Sequence, residues 1–319
     1  MRTPLFFLLF SFLIPCMCFA QSTDFKNEFG FRSDNDSYLA YGQDRYYTNG
    51  LFLFFRRATD QSKLNKKLNK LIWELEAGQK MYNPQSGNIS DIAFIDRPFA
   101  AYLYGGGSVN FLFNSEKSLK ITLQAGTIGP DAKGKETQEF LHSVVGFYKI
   151  KGWEWQVNNE VAFNSTVNYK NLLFRKGSGK LDLSLDSYLD IGNTYAGAGA
   201  GLMFRTGDLN QLFQSASTES VVSNSSKSRH LTEREFFFYA KPIMHYVAYD
   251  ATIQGGLLSD DKGPTVFDVK PLVFSQQIGL MYSKNRWTAD FSLIFKSREV
   301  KSFAKPHQYG SAALNYRFN

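Results

Sequence analysis

Gln138-Glu139-Phe140-Leu141-His142 stands in a polar, glycine-punctuated stretch between two runs that alternate as β-strands do. Positions four apart share a helix face, so on a helix the Gln138 amide and the His142 imidazole would converge on one small volume. Histidine is the side chain whose ordinary pKa lies nearest neutrality, and a glutamine that orients the ring or a water completes a proton-handling pair. The same spacing also arises by chance on any helix. What it can do depends on where the rest of the chain displays it.

The chain opens Met1-Arg2, continues through an apolar run from Leu5 to Ile14 and reaches Pro15-Cys16-Met17-Cys18-Phe19-Ala20. A positive start, a short apolar stretch and small residues before the break predict a secretory signal peptide over 1–20, cleaved after Ala20. The run is too short for the ~18 apolar residues of a spanning helix. Both cysteines fall inside it, so the mature chain, 21–319, is expected to carry no thiol. Disulfides, cysteine-ligated zinc and a thiol nucleophile are thereby excluded. No linker, low-complexity tract or repeat divides the remainder, which reads as one domain.

Aromatic residues make up 16% of the chain while the mean hydropathy is only −0.29. Transmembrane strands produce that pairing, because every second residue meets lipid and the others do not. The net charge of +7 would suit an anionic partner, but a secreted chain disfavours nucleic acid. Its basic residues are scattered except for Lys63, Lys66, Lys67 and Lys70, which read as solvated turns.

Alternation is clearest late in the chain. Trp287, Ala289, Phe291, Leu293 and Phe295 oppose Thr288, Asp290 and Ser292, and Leu181 to Ile191 and Ala312 to Phe318 repeat the pattern. The chain ends one residue past an aromatic, Phe318, where barrel assembly signals usually end on it. A soluble β-sandwich would alternate too, with a core shared between two sheets. Asp182, Asp186, Asp190, Asp290, Glu74 and Glu76 fit better on the inner face of a barrel, away from lipid.

The expected strands are 24–34, 45–57, 69–81, 99–113, 117–128, 152–165, 179–191, 195–206, 232–258, 270–284, 286–298 and 308–318. The fold class is thus all-β, a transmembrane antiparallel up-and-down β-barrel of about 12 strands with a short helix in an extracellular loop. With both termini periplasmic, the connections 34–44, 82–98 and 129–151 face outward. The Ser- and Gln-rich connection 207–231 violates the rule of short periplasmic turns, which implies either a flexible excursion or an error in the strand count. A closed barrel has no edge strand that needs a partner, which predicts a monomer.

Those outward connections and the adjoining strand ends carry Asp34-Asn35-Asp36, Asp44 to Gly50, Asp96-Arg97-Pro98 and the Gln138/His142 pair. Each has a plainer reading. Asn35-Asp36 suits a turn or cap, Asp96-Arg97 an ion pair and Arg97-Pro98 a bend. Tyr46, Tyr47, Trp153, Trp155 and Trp287 suit an interfacial girdle. Yet the ordered succession NDN, DRYYTNG, GQKMY, DRPFAAYLYGG, GTIGPDAKGKETQEFLH, KGWEWQVNNE, GNTYAGAGAGLMFRTGDL and SREVKSFAKPHQYGSAALNYRF resembles the outer-membrane lipid A 3'-O-deacylase family across nearly the whole mature chain.

The resemblance implies an outer-membrane ester hydrolase that removes the 3'-linked acyl or acyloxyacyl chain of lipid A and requires Ca²⁺. It puts the catalytic histidine at His142 and its glutamine at Gln138, the Asn-Asp pair at Asn35 and Asp36, the hydroxyl residue at Thr48 and the rim arginine at Arg97. A further family glutamate has several candidate positions, Tyr148, Glu139 and Glu160. The implied roles are coherent. His142 would take a proton from the attacking water, and Asn35, Asp36 and Thr48 offer oxygens suited to Ca²⁺. Arg97 would hold a phosphate or the oxyanion. The alternatives are a barrel of the same fold serving as a non-catalytic channel or structural protein, and an outer-membrane phospholipase. On the structural reading, Gly105 to Gly107 would matter only for strand packing or curvature.

Overall fold

The computed structural model describes residues 25–39, 45–225 and 230–319, so the expected signal peptide and Asp44 lie outside the described residues. Twelve strands form a closed antiparallel barrel, with the last paired to the first. They are β1 Asn27–Asn35, β2 Tyr46–Ala58, β3 Leu68–Asn83, β4 Ala100–Phe113, β5 Lys117–Ile128, β6 Glu160–Arg175, β7 Leu181–Gly192, β8 Tyr195–Asp208, β9 Arg234–Asp250, β10 Leu272–Lys284, β11 Trp287–Lys296 and β12 His307–Phe318. Two helices interrupt the connections, α1 Gly134–Val145 and α2 Ala251–Gln254. Among the described residues no helix is long and apolar enough to cross a membrane, so the crossing falls to the strands.

Alternation sets the two faces. Phe29, Leu75, Leu123, Phe163, Phe291 and Leu314 are exposed on the outer wall, and Glu74, Asp182 and Asp186 are buried in the lumen. The expected strand positions agree with the observed ones to within about three residues except at β6, which spans Glu160–Arg175 rather than 152–165, and at β9, which ends at Asp250 rather than 258. Gly152 takes a left-handed conformation (φ +110°) and Trp153–Trp155 form a 3-10 turn. That segment is drawn off the sheet to pack beneath α1. The long run 232–258 proves to be a single strand closed by α2, whose first turn is capped by the Asp250 carboxylate accepting from Thr252 N at 2.9 Å.

Residues 207–225, the described part of the connection 207–231 before β9, correct the expectation of a loose excursion. Leu212, Ser215, Thr218, Ser220 and Val222 are buried inside the end of the barrel that carries both termini. Arg205, fully buried, donates to both Asp182 oxygens (2.9 and 2.6 Å) and to Ser215 Oγ and Ser217 Oγ (2.6 and 2.9 Å). Lys120 bridges Glu74 and Glu219 at 2.8 and 2.6 Å, and Arg56 joins Glu28, Glu74 and Glu219. Lys70 is likewise no solvated turn residue, for it is buried and donates to Ser220 O at 2.6 Å. A wet lumen would leave these charges to water; the folded segment pairs them instead, and buried charges persist only where paired.

Candidate active site

The Gln138/His142 pair is displayed on the outside of the barrel wall. On β3 the lumen face carries Glu74 and Glu76, so Gln79 and Met81 belong to the outer face, and on β4 Tyr102 and Tyr104 face inward while Ala101 faces out. Both Gln79 and Met81 are nevertheless buried, because the connection bearing α1 lies across them. Gln79 Nε2 donates to Ala132 O at 2.6 Å. A Cβ at Gly134 would come within 2.5 Å of both Ala101 Cβ and Trp153, so only glycine lets the first turn of α1 touch the wall. Met81, Ile95, Phe99, Ala101, Ala132 and Trp153 form the apolar seat under the helix, with Leu141 packed against it. Burying the Trp153 ring alone contributes about 1.5–3 kcal/mol.

The helix turns one face to that seat. Gln138 and His142 are buried on it, while Phe140 and Val144 are exposed on the other. Gln138 Oε1 accepts from Trp153 Nε1 at 2.7 Å. An indole N–H can only donate, so this contact fixes which end of the amide is oxygen and turns Nε2 away from Trp153. The helix stops at Gly146, in the left-handed conformation (φ +74°), and Phe147 N donates to His142 O at 2.9 Å. The chain therefore doubles back, and Tyr148 O comes to 2.9 Å from His142 Nδ1. A carbonyl accepts only, so Nδ1 carries the proton and Nε2 keeps its lone pair. The Phe147 and Tyr148 rings stand edge-on to the imidazole at 5.5 and 5.0 Å.

Thr48 lies at a bulge in β2, where Thr48 and Asn49 together oppose Met81. Its hydroxyl, fully buried, donates to Met81 O at 3.4 Å. Asn35 pairs in register with Asn49 and donates to its side-chain oxygen, while its own Oδ1 accepts from Ser37 N at 2.7 Å. Asp36 is buried, its Oδ2 accepts from Arg45 N at 2.7 Å, and it lines a cavity of about 310 Å³ with Arg45, Lys296 and His307. Asn35, Asn49, Thr48 and Asp36 thus gather at the outer ends of β1 and β2. In type they fit a hard cation, oxygen donors around one carboxylate, although among the described residues no group of three or more His, Cys, Asp or Glu gathers.

Arg97 is placed differently. Its guanidinium lies 4.1 Å over the Tyr82 ring, on the lumen side, and donates to Thr252 Oγ1 at 2.8 Å and Thr252 O at 3.4 Å. It fastens the connection 84–99 to α2. Its neighbour Asp96 is no ion-pair partner of it but accepts from Tyr46 Oη at 2.7 Å and Gln85 N at 2.8 Å; burial pushes its carboxyl above the usual carboxylate range, against those donors. Glu160 accepts from Leu257 N and Leu258 N at 3.0 and 2.7 Å, which anchors the next connection, and Glu139 is exposed on α1. Of the aromatics expected in a girdle, Trp287 is exposed, but Tyr46, Tyr47 and Trp153 are buried inside the molecule.

Sequence reasoning missed Trp153, Asn49 and Gln79 as parts of this arrangement. Trp153 stood in the KGWEWQ block, but nothing in its spacing from Gln138 announces an indole-to-amide contact.

A closed lipid-facing barrel with a polar cluster held against its outer wall is the architecture of an integral outer-membrane protein. A family model described as "Outer membrane protein LpxR" matches residues 5–318. The chain belongs to that family, the lipid A 3'-O-deacylase family whose motifs the sequence resembles. Among solved structures it is similar to LpxR from Salmonella typhimurium, with 19% identity, 91% of this chain and 100% of that chain covered, and a TM-score of 0.69. The translocator domain of the autotransporter NalP from Neisseria meningitidis (9% identity, 92% and 88% covered, TM-score 0.45) and the KdgM porin (8%, 92% and 99%, 0.38) are more distant. No curated protein sequence matches the chain.

Proposed function

We propose that this barrel hydrolyses the ester holding the 3'-linked acyl or acyloxyacyl chain of lipid A, with His142 as general base. One observation carries the reading: the imidazole is buried against the lipid-facing wall with Nδ1 tied to Tyr148 O, which leaves Nε2 as the basic nitrogen. His142 Nε2 takes the proton of a water as that water attacks the acyl carbonyl, and returns it to the departing sugar oxygen. General base catalysis of this kind contributes typically 10²–10⁴-fold. Gln138, its oxygen held by Trp153, offers Nε2–H to the water or to the developing oxyanion. Thr48 and Asn49 hold the β2 end in register beside them, and Arg97 acts as a positioning residue through the connection it fastens.

When bound, Ca²⁺ held by Asp36 and Asn35 with neighbouring carbonyl oxygens would supply polarisation of the ester carbonyl. The packed segment in the lumen argues against the channel alternative, since it fills the end of the barrel through which a solute would leave. A phospholipid carries the same ester at the same interface, and the substrate assignment rests on family membership.

Mass spectrometry of lipid A from cells expressing the protein tests the reading. Loss of the 3'-linked chain is expected with the wild type and is abolished in His142→Ala. Lipid A left intact by wild-type protein that is correctly inserted sinks the proposal, and so does cleavage of phospholipid in its place.

A further inference from the structure

The outer wall of the barrel has a gap in its cover of large apolar side chains. In one row of paired residues Ala77, Gly105 and Ala125 stand side by side, and Gly107 follows in the next outward row. Around them the wall is bulky, with Leu75, Leu103, Leu123 and Phe163 all exposed. The result is a groove of about 490 Å³ on the lipid side, floored by Gly105 and Ala125 and walled by Leu123, Phe163 and Ile191.

Packing does not require the missing side chains. A Cβ at Gly105 would meet nothing closer than Glu76 O at 4.0 Å, and one at Gly107 nothing closer than Glu74 O at 3.5 Å. Neither residue has a positive φ. Gly106 between them differs, since its Cβ would fall 2.6 Å from Leu123 O. Glycine within a strand weakens it and commonly marks close approach by a ligand or another backbone. At Gly105 no backbone takes the vacated space, and lipid lies on that side.

The groove also has a definite relation to the site. The next outward row toward the extracellular end is Gln79, Leu103, Thr127 and Val161, and Gln79 is the residue that holds Ala132 at the approach to α1. Two residues along a strand span about 7 Å. The row of Ala77, Gly105 and Ala125 thus begins that far along the wall from the row on which the approach to α1 rests.

We propose that this groove is the seat of an acyl chain of the substrate lipid, a subsite that positions lipid A against the wall while its ester is held at α1. The proposal rests on the lipid A reading above. The small residues at Ala77, Gly105, Gly107 and Ala125 make room for the chain, and Leu75, Leu103, Leu123 and Phe163 flank it with apolar contact over a distance that a smooth belt would not offer.

Lipid retention, counted as intact plus deacylated lipid A, tests it apart from the rate of turnover. Barrels purified in mild detergent are incubated with lipid A or with phosphatidylethanolamine, washed, and the lipid kept per barrel is counted by native mass spectrometry. The wild type is expected to keep lipid A, and Gly105→Leu and Ala125→Leu to keep about tenfold less. Ala289→Leu, the same change on the lipid-facing side of β11, is expected to match the wild type. Heat-modifiable migration on gels establishes that each barrel is folded, and Gly105→Ala stands in, with a smaller loss, where leucine prevents folding. Failure of the wild type to keep lipid A overturns the proposal, as does equal retention in Gly105→Leu. Parallel loss of both lipids makes the groove a seat for bulk lipid and overturns it as well. Lipid A held through the groove by a barrel that does not deacylate refutes the enzymatic reading alone; deacylation with unchanged retention in Gly105→Leu refutes the groove alone.

Discussion

The closed end of the lumen and the outer wall beneath α1 are both buried and both polar, yet they are built from opposite materials. At the closed end the groups are ions: Arg205 against Asp182, and Arg56 and Lys120 against Glu74 and Glu219. Beneath α1 they are neutral side chains in defined hydrogen-bond roles, Gln138, Thr48 and Asn49, with one imidazole whose tautomer is set by a backbone carbonyl. Ion pairs satisfy each other and leave little to offer a substrate. Neutral groups can donate or accept without carrying a charge that must be neutralised in place. The same barrel thus places paired charge at its closed end and neutral polar groups against its outer wall.

The largest test of this contrast is Arg205→Met. It leaves Asp182 with Arg175 alone and strips Ser215 and Ser217 of a donor, and breaking a buried pair in this way costs about 3–5 kcal/mol. Unfolding by urea followed by gel mobility is expected to show that loss, while the barrels that remain folded deacylate at the wild-type rate. A matching fall in rate at unchanged stability would mean that the two regions are not separate.

Trp153→Phe probes the other region more gently. The ring stays packed under α1 but the indole donor to Gln138 is lost, worth about 1 kcal/mol or roughly fivefold in rate. Deacylation kinetics should show that fall, and in a Gln138→Ala background the further change should be nearly nil, since both act through one amide. Full additivity would show that the indole contact does not orient Gln138.

The smallest expected effect is on pH. Glu299 lies in the connection before β12; burial opposes its ionisation, but Lys296, which it pairs with, and His307 hold its carboxyl down to about 2. A depressed folded value means that the contribution is present above the ordinary value of 4.5 and is lost as pH falls from there toward about 2. Protease susceptibility of the 297–306 connection is expected to rise across that window in the wild type and to be flat in Glu299→Gln. A flat profile in both would remove Glu299 as a fastening of the outer end.

Much of this was legible in the chain itself. Alternation at Trp287 to Phe295 and Leu181 to Ile191 marked strands because a period of two places every second side chain in lipid, whatever its partners are. Termini on one side of an even-stranded barrel then assigned ends to the loops, and the helical spacing of Gln138 and His142 is realised in α1. Less legible was the start of β6, because the KGWEW stretch reads as strand until one sees that Trp153 is taken by α1. The burial of Lys70 was equally hidden, since its partner Ser220 lies far along the chain.

What the sequence determined by itself is the barrel, a count of about twelve strands provided 232–258 is one strand, and the residue types available for ester chemistry, because periodicity and composition are local properties. Only the tertiary structure decided that residues 207–225 close the lumen, that Arg97 fastens loops on the lumen side, and that His142 faces the outer wall with its Nδ1 committed to Tyr148. Those outcomes depend on contacts between residues distant in the chain, and on which face of a closed sheet a helix comes to rest. No repeat or spacing encodes that choice until the sheet has closed.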